Sequence, residues 1–159
     1  MAIKVTPFLW FDQQAEEAAR FYTSVFPNSK ITQISHYLDA GQETHGRAAG
    51  SVMTVTFELD GNKVIALNGG PLFKLSEAFS FVVECETQEE VDYYWDKLGA
   101  GGDPDAQACG WLKDKFGLSW QITPTIIYEM MSNPDPEKRK RSFEAMLGMK
   151  KLEIAGLKG

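Results

Sequence analysis

One pattern constrains the fold of this chain more than any other: the order strand, helix, then further strands occurs twice, about 70 residues apart. In the first half, residues 4–11 (KVTPFLWF) read as a strand that is apolar on both faces. Residues 13–25 form a helix, because Ala15, Ala18, Ala19, Tyr22 and Val25 recur at three- and four-residue spacing. Asp12 is placed to cap that helix, and Glu16 and Glu17 lie in its first turns, where the helix dipole favours acid. Pro27-Asn28-Ser29 ends it, and residues 30–38 make a second strand. The polar stretch from Asp39 to Gly50 reads as a long mobile loop. Beyond it, Met53, Val55, Phe57 and Leu59 alternate with Thr54, Thr56 and Glu58, the period of a half-buried strand. Asp60-Gly61-Asn62 turns this strand into another at 63–68, and Gly69-Gly70-Pro71 breaks the pattern.

The order then restarts. Residues 79–85 are a strand, and Thr87 with Glu90 three positions on is a capping box. The helix it opens, 88–98, turns Val91, Tyr94, Trp95 and Leu98 inward. After a Gly/Asp/Pro loop at 99–107, residues 109–113 and 118–123 form a hairpin through Asp114-Lys115-Phe116-Gly117. This half is shorter because its first strand after the helix is reduced to almost nothing. Residues 125–133 and 135–147 read as two more helices, separated by Pro134 and Pro136. Their apolar residues (Ile126, Ile127, Met130, Met131, Phe143, Met146, Leu147) are expected to pack against the chain's own core.

The architecture expected is α+β: two tandem βαβββ modules, about 4–68 and 79–124, forming a curved mixed sheet around a cavity with helices outside. Residues 125–159 form a helical appendage of the same domain. A chain of 159 residues is long enough for one core that needs neither disulfide nor metal. Cys85 and Cys109 are read as buried, reduced thiols. No apolar run reaches the length of a membrane span, and MAIKVTPFLWF lacks the features of a signal peptide. A cytoplasmic location is therefore expected. A net charge of −6 argues against nucleic acid or an anionic membrane as partner. The one basic run, Lys138 to Arg141, reads as a solvated helix face.

Three stretches carry a family resemblance: Thr6 to Asp12, the helix from Ala15 to Tyr22 running on to Phe26-Pro27, and Cys109 to Pro124. They resemble the vicinal oxygen chelate (glyoxalase-like) superfamily, and within it the PhnB-like branch named for 3-demethylubiquinone-9 3-methyltransferase. The resemblance covers residues 4–124. It implies a cavity in which enzymes of the superfamily hold a divalent metal with one His, Glu or Gln from the first and last strand of each half. Carried onto this chain, the closing turn Asp114 to Gly117 leads to Gln121 where the superfamily has a liganding Glu. Asn68 takes the matching place in the first half, and the opening strands offer Thr6 or Pro7 and Phe79 or Ser80. None of these strands carries a histidine.

Neutral amides, hydroxyls and apolar groups hold a divalent transition metal poorly, so neither a metal nor a cofactor is expected. His36 lies on the second strand; His45, in the polar loop, could reach the cavity as an acid or base. Methyl-donor binding would call for a glycine-rich turn after the first strand, whereas that turn is Asp12-Gln13-Gln14. The reading is a protein that binds a small apolar or aromatic molecule, with Pro7, Leu9, Asn68, Ser80, Trp111, Trp120 and Gln121 as candidate contacts. A metal-dependent lyase, isomerase, dioxygenase or thiol transferase is the alternative, and methyl transfer the disfavoured one. A homodimer is expected, as is common in the superfamily.

Overall fold

A computed structural model describes residues 1–158. They form two compact units, Met1–Leu75 and the chain from Ser76 onward. Each holds one small mixed sheet, so the fold class is the expected α+β.

The first unit runs β1 (Phe8–Phe11), α1 (Ala15–Val25), β2 (Lys30–His36), α2 (Gln42–His45), β3 (Val52–Leu59) and β4 (Asn62–Asn68). Its strand order is β1-β4-β3-β2, with β1 parallel to β4 and the other pairs antiparallel. The β3–β4 turn has positive φ at both Asp60 and Gly61, the mirror-image turn whose twist matches a hairpin. The apolar stripe of α1 is fully buried, and its three alanines let the helix lie close to the sheet. The Tyr22 ring stands 6.2 Å from that of Phe57, which identifies the helix-facing side. Register then puts Phe57 and Val64, Val55 and Ala66, and Leu9 on that side together.

Three readings of this half change. The first strand pairs only from Phe8, because the proline before it offers no N–H, although the Pro7 carbonyl still accepts from Ile65 (3.0 Å). Asp12 does not cap α1. The N-cap is Gln14, whose side chain makes no capping bond; Asn68 Oδ1 instead accepts from the Ala15 amide at 2.8 Å. The polar loop contains a one-turn helix, α2, bounded by Gly41 and Gly46 in left-handed conformations.

The second unit runs β5 (Ser80–Cys85), α3 (Gln88–Gly99), β6 (Trp111–Lys113), β7 (Ser119–Pro124), α4 (Ile126–Met131), α5 (Pro136–Leu147) and α6 (Ile154–Leu157). Its order is β5-β7-β6, with β5 parallel to β7 and β6 antiparallel to it. The first unit's arrangement thus repeats with one strand missing, and an isolated bridge between Ala108 and Trp111 is what remains there. The Thr87–Glu90 capping box forms as expected. Val91, Trp95 and Leu98 are buried, while Tyr94 is half-buried.

The C-terminal segment seals this unit differently from the expectation. Neither α4 nor α5 has a buried residue. The chain after α5 returns instead: Cys109 and Gly110 donate their amides to the carbonyls of Met149 and Lys150, each at 2.8 Å. Gln88 on α3 donates to the Leu152 carbonyl and accepts from the Ile154 amide. Leu152 and Leu157 are buried. Among the described residues, no helix is long and apolar enough to cross a membrane.

Candidate functional site

Successive strand residues point to opposite faces, so the helix-facing residues of each unit define a far face by default. In the second unit a Cβ on Gly99, at the end of α3, would lie 3.7 Å from Leu112. Leu112 therefore faces the helix, and so do its cross-strand partner Trp120 and, beyond that, Phe81. The far face carries Trp111 and Lys113 on β6, Ser119 and Gln121 on β7, and Ser80 and Val82 on β5. Register sets Trp111 and Val82 on either side of Gln121, and Lys113 and Ser80 on either side of Ser119.

These groups interact. The Gln121 amide donates from Nε2 to Ser80 Oγ at 3.0 Å, and among the described residues its Oε1 accepts no hydrogen bond. Ser119 is only 1% exposed, yet among the described residues its hydroxyl has no hydrogen-bond partner. Lys113 is committed to Glu77, whose carboxyl that hydrogen bond holds below the usual carboxylate range. In the first unit, the face away from α1 presents Phe8, Trp10, Thr54, Thr56, Ile65 and Leu67. There the Trp10 indole donates to the Gly70 carbonyl at 2.9 Å, and Phe73 meets its ring edge-on at 5.0 Å.

Of the residues singled out from the sequence, Ser80, Trp111 and Gln121 come together on one face. Leu9 lies on the α1 side of its sheet, buried in the core. Pro7 is half-buried just before β1. Asn68 is spent on structure: Oδ1 caps α1, and Nδ2 donates to the Val52 carbonyl at 3.2 Å. Trp120 lies on the α3 side, buried, with its indole N–H bonded to Asp114 Oδ2 at 2.8 Å. That carboxylate also accepts from the amides of Phe116 and Leu118, so the turn and the tryptophan brace each other. Ser119 escaped the sequence reading, although it is the period-two neighbour of Gln121. His45 stacks on Tyr37, with one ring nitrogen against the Ala40 carbonyl and the other accepting from the Arg47 amide. Both nitrogens are thus engaged by its own loop. Among the described residues, no three His, Cys, Asp or Glu side chains converge.

The family model described as 3-demethylubiquinone-9 3-methyltransferase matches residues 3–123. The chain belongs to this family. A PhnB protein of Bacillus cereus, which bears the same methyltransferase designation provisionally, is 38% identical. Its structure superposes with a TM-score of 0.64 over 77% of this chain and 100% of its own. Protein PA1353 of Pseudomonas aeruginosa shares the fold at 17% identity and a TM-score of 0.60, covering 77% of this chain and 98% of its own. The fosfomycin resistance protein FosX of Mesorhizobium loti does so at 15% identity and 0.51, covering 76% and 89%. PhnB and FosX belong to the glyoxalase, or vicinal oxygen chelate, superfamily, and the present fold is of that type. No curated protein matches the chain.

Proposed function

We propose that this PhnB-like protein binds a small, flat, largely apolar molecule without a metal, and that the far face of the second unit supplies its polar anchors. The observation that carries this reading is the hydroxyl of Ser119. A buried hydroxyl without a partner costs about 1–3 kcal/mol, and folds rarely leave one unpaired without a reason. Beside it stand the Ser80–Gln121 pair, whose amide oxygen is still able to accept, and the indole of Trp111. An aromatic surface with a few fixed polar groups is what a small-molecule site consists of.

The donor set does not suit a divalent transition metal. Gln121, Ser80 and Ser119 offer only neutral oxygen and nitrogen, and the Asn68 carbonyl oxygen is already taken by the Ala15 amide. Methyl transfer is disfavoured too, because β1 runs through Asp12-Gln13-Gln14 into α1 with no glycine to admit a nucleotide-type donor. Cys85 and Cys109 are unpaired, which suits a reducing compartment such as the cytoplasm. We also propose that the chain works as a homodimer.

The decisive variant is Ser119→Ala. Removing an unsatisfied hydroxyl should leave stability unchanged or raise it by about 1 kcal/mol, while weakening the uncharged aromatic ligands that a thermal-shift screen identifies. A marked loss of stability would mean that the hydroxyl is structural, and a screen without a single hit would defeat the reading. Stoichiometric zinc, manganese or iron retained on dialysis would overturn its metal-free part. Calorimetric binding of S-adenosylmethionine would restore methyl transfer.

A further inference from the structure

The first unit holds a cation that its own fold pairs only loosely. The Arg47 side chain, just after α2, is 20% exposed, and its sole carboxylate neighbour among the described residues, Asp12, stands 3.9 Å away and is itself half-exposed. Among the described residues the guanidinium donates no hydrogen bond; the one bond Arg47 donates there is from its backbone amide to His45 Nδ1. A guanidinium is a planar fork of five donors. When largely withdrawn from water it ordinarily grips oxygen at about 2.7–2.9 Å, often with two parallel bonds. An ion pair at the outer limit of contact, with a partner facing solvent, supplies little of that.

The surroundings say what kind of molecule could supply it. Arg47 Nη1 lies 3.5 Å from the point where a Cβ on Gly70 would stand, and Gly70 has a left-handed φ of +93°. The Gly70 carbonyl is the acceptor for the Trp10 indole. The Trp10 ring lies across Gly69 so closely that a Cβ there would come within 2.4 Å of it. Phe73 closes on the same indole from the edge. The Gly69-Gly70 turn thus lets a charged fork and the Trp10 ring approach one short stretch of backbone, with Phe73 against that ring. On a chain of net charge −6, diffuse electrostatics repel anions, so capture of one requires a placed cation of this kind.

We infer that Arg47 is an anchor for a ligand oxyanion, a carboxylate or a phosphonate-type group, on a molecule whose flat part rests against Trp10 and Phe73. Asp12 is the group the incoming oxyanion displaces. This site belongs to the first unit and stands independently of the Ser80–Ser119–Gln121 patch.

The test is calorimetry on the full chain with indole-3-acetate and indole-3-acetamide, which share a ring and differ in charge. Benzoate and phenylphosphonate serve as a second pair that separates the two anion classes. The acetate should bind about tenfold or more tightly than the acetamide, as a charge-assisted fork implies. Arg47→Gln should erase that difference, and Arg47→Lys, which keeps the charge and loses the fork, should retain only part of it. Selective, Arg47-dependent binding of phenylphosphonate alone would also support the anchor and assign it to phosphonates. Equal affinity for the two indoles, acetate binding unchanged in Arg47→Gln, or no binding of any of the four compounds would overturn it. Should Arg47→Gln fail to fold, the wild-type ligand pairs and Arg47→Lys decide the matter. None of these outcomes bears on Ser119→Ala, so the two proposals fail separately.

Discussion

At the scale of single residues, the two amides singled out from the sequence, Asn68 and Gln121, both make hydrogen bonds within the fold. Asn68, at the end of β4, ties three segments together by capping α1 and holding the Val52 carbonyl. Truncation to alanine removes both bonds and leaves the Ala15 amide unmet, for a loss of about 1–3 kcal/mol. Urea denaturation should find this loss in Asn68→Ala, and only part of it in Asn68→Asp, which keeps the acceptor. An unchanged midpoint in Asn68→Ala would mean that the cap does not form in solution. Cys85 makes a second prediction. Burial, with a contribution from the charge of Glu90, pushes its thiol from the ordinary 9.0 up to about 11. In the unfolded chain the thiol ionises near its ordinary value, while the folded protein keeps it protonated to about 11. Between those limits the unfolded state binds fewer protons, so stability is full below pH 9 and declines as pH rises toward 11. Cys85→Ala should show a shallower decline over that window, and at pH 8 a thiol reagent should modify the half-buried Cys109 first. Prior labelling of Cys85 would contradict its burial.

At the scale of elements, what was legible in the sequence is what is encoded locally. The capping box of α3 lies within four residues and was visible; the cap of α1 comes from Asn68, 53 residues away, and could not be. The hairpin at Asp60-Gly61 announces itself by residue type, because both positions need positive φ. The face of β1 was not readable, since KVTPFLWF is apolar on both sides and period two then carries no information. Only the contact between Tyr22 and Phe57, propagated by register, assigns Leu9 to the core and Trp10 to the far side. Likewise α6 has one turn and no amphipathic repeat, yet the segment leading to it seals the second unit beside the lost strand. Gly110 shows how tight that seal is: with φ of +84°, a Cβ would come within 2.8 Å of Leu152 Cδ1. Leu152→Ala should therefore cost about 2–4 kcal/mol, whereas Leu147→Ala, on the exposed end of α5, should stay within about 0.5 kcal/mol of wild type. Thermal melts of the two variants in parallel, at a dilution where the chain is monomeric, check this, and equal losses would mean that α5 is buried within the chain after all.

At the scale of the whole molecule, the apolar residues left in water argue for association. The family model ends its match at residue 123, just before the appendage. Beyond that point α4 exposes Tyr128 and Met131, and α5 exposes Phe143 and Leu147 one turn apart. Ile3 and Val5, before β1, are exposed as well. Single exposed apolar residues are ordinary, but stripes on adjoining helices mark an interaction surface. A two-fold interface is self-complementary, so one centred on α5 would bring Lys138, Arg139, Lys140 and Arg141 toward their own copies. Among the described residues, each Lys140 has only a distant partner in Glu144 (4.0 Å). Such an interface would be apolar in its attraction and opposed by like charge, and added salt should strengthen it by screening that repulsion. Light scattering should therefore give about twice the 17.8 kDa mass of the chain, with the dimer fraction at dilution rising between low and moderate salt. Phe143→Glu with Leu147→Glu should return the monomer without loss of helix content. A mass of one chain at every concentration and salt would remove the dimer, and a dimer indifferent to the paired substitution would move its interface away from α5, toward the exposed residues ahead of β1.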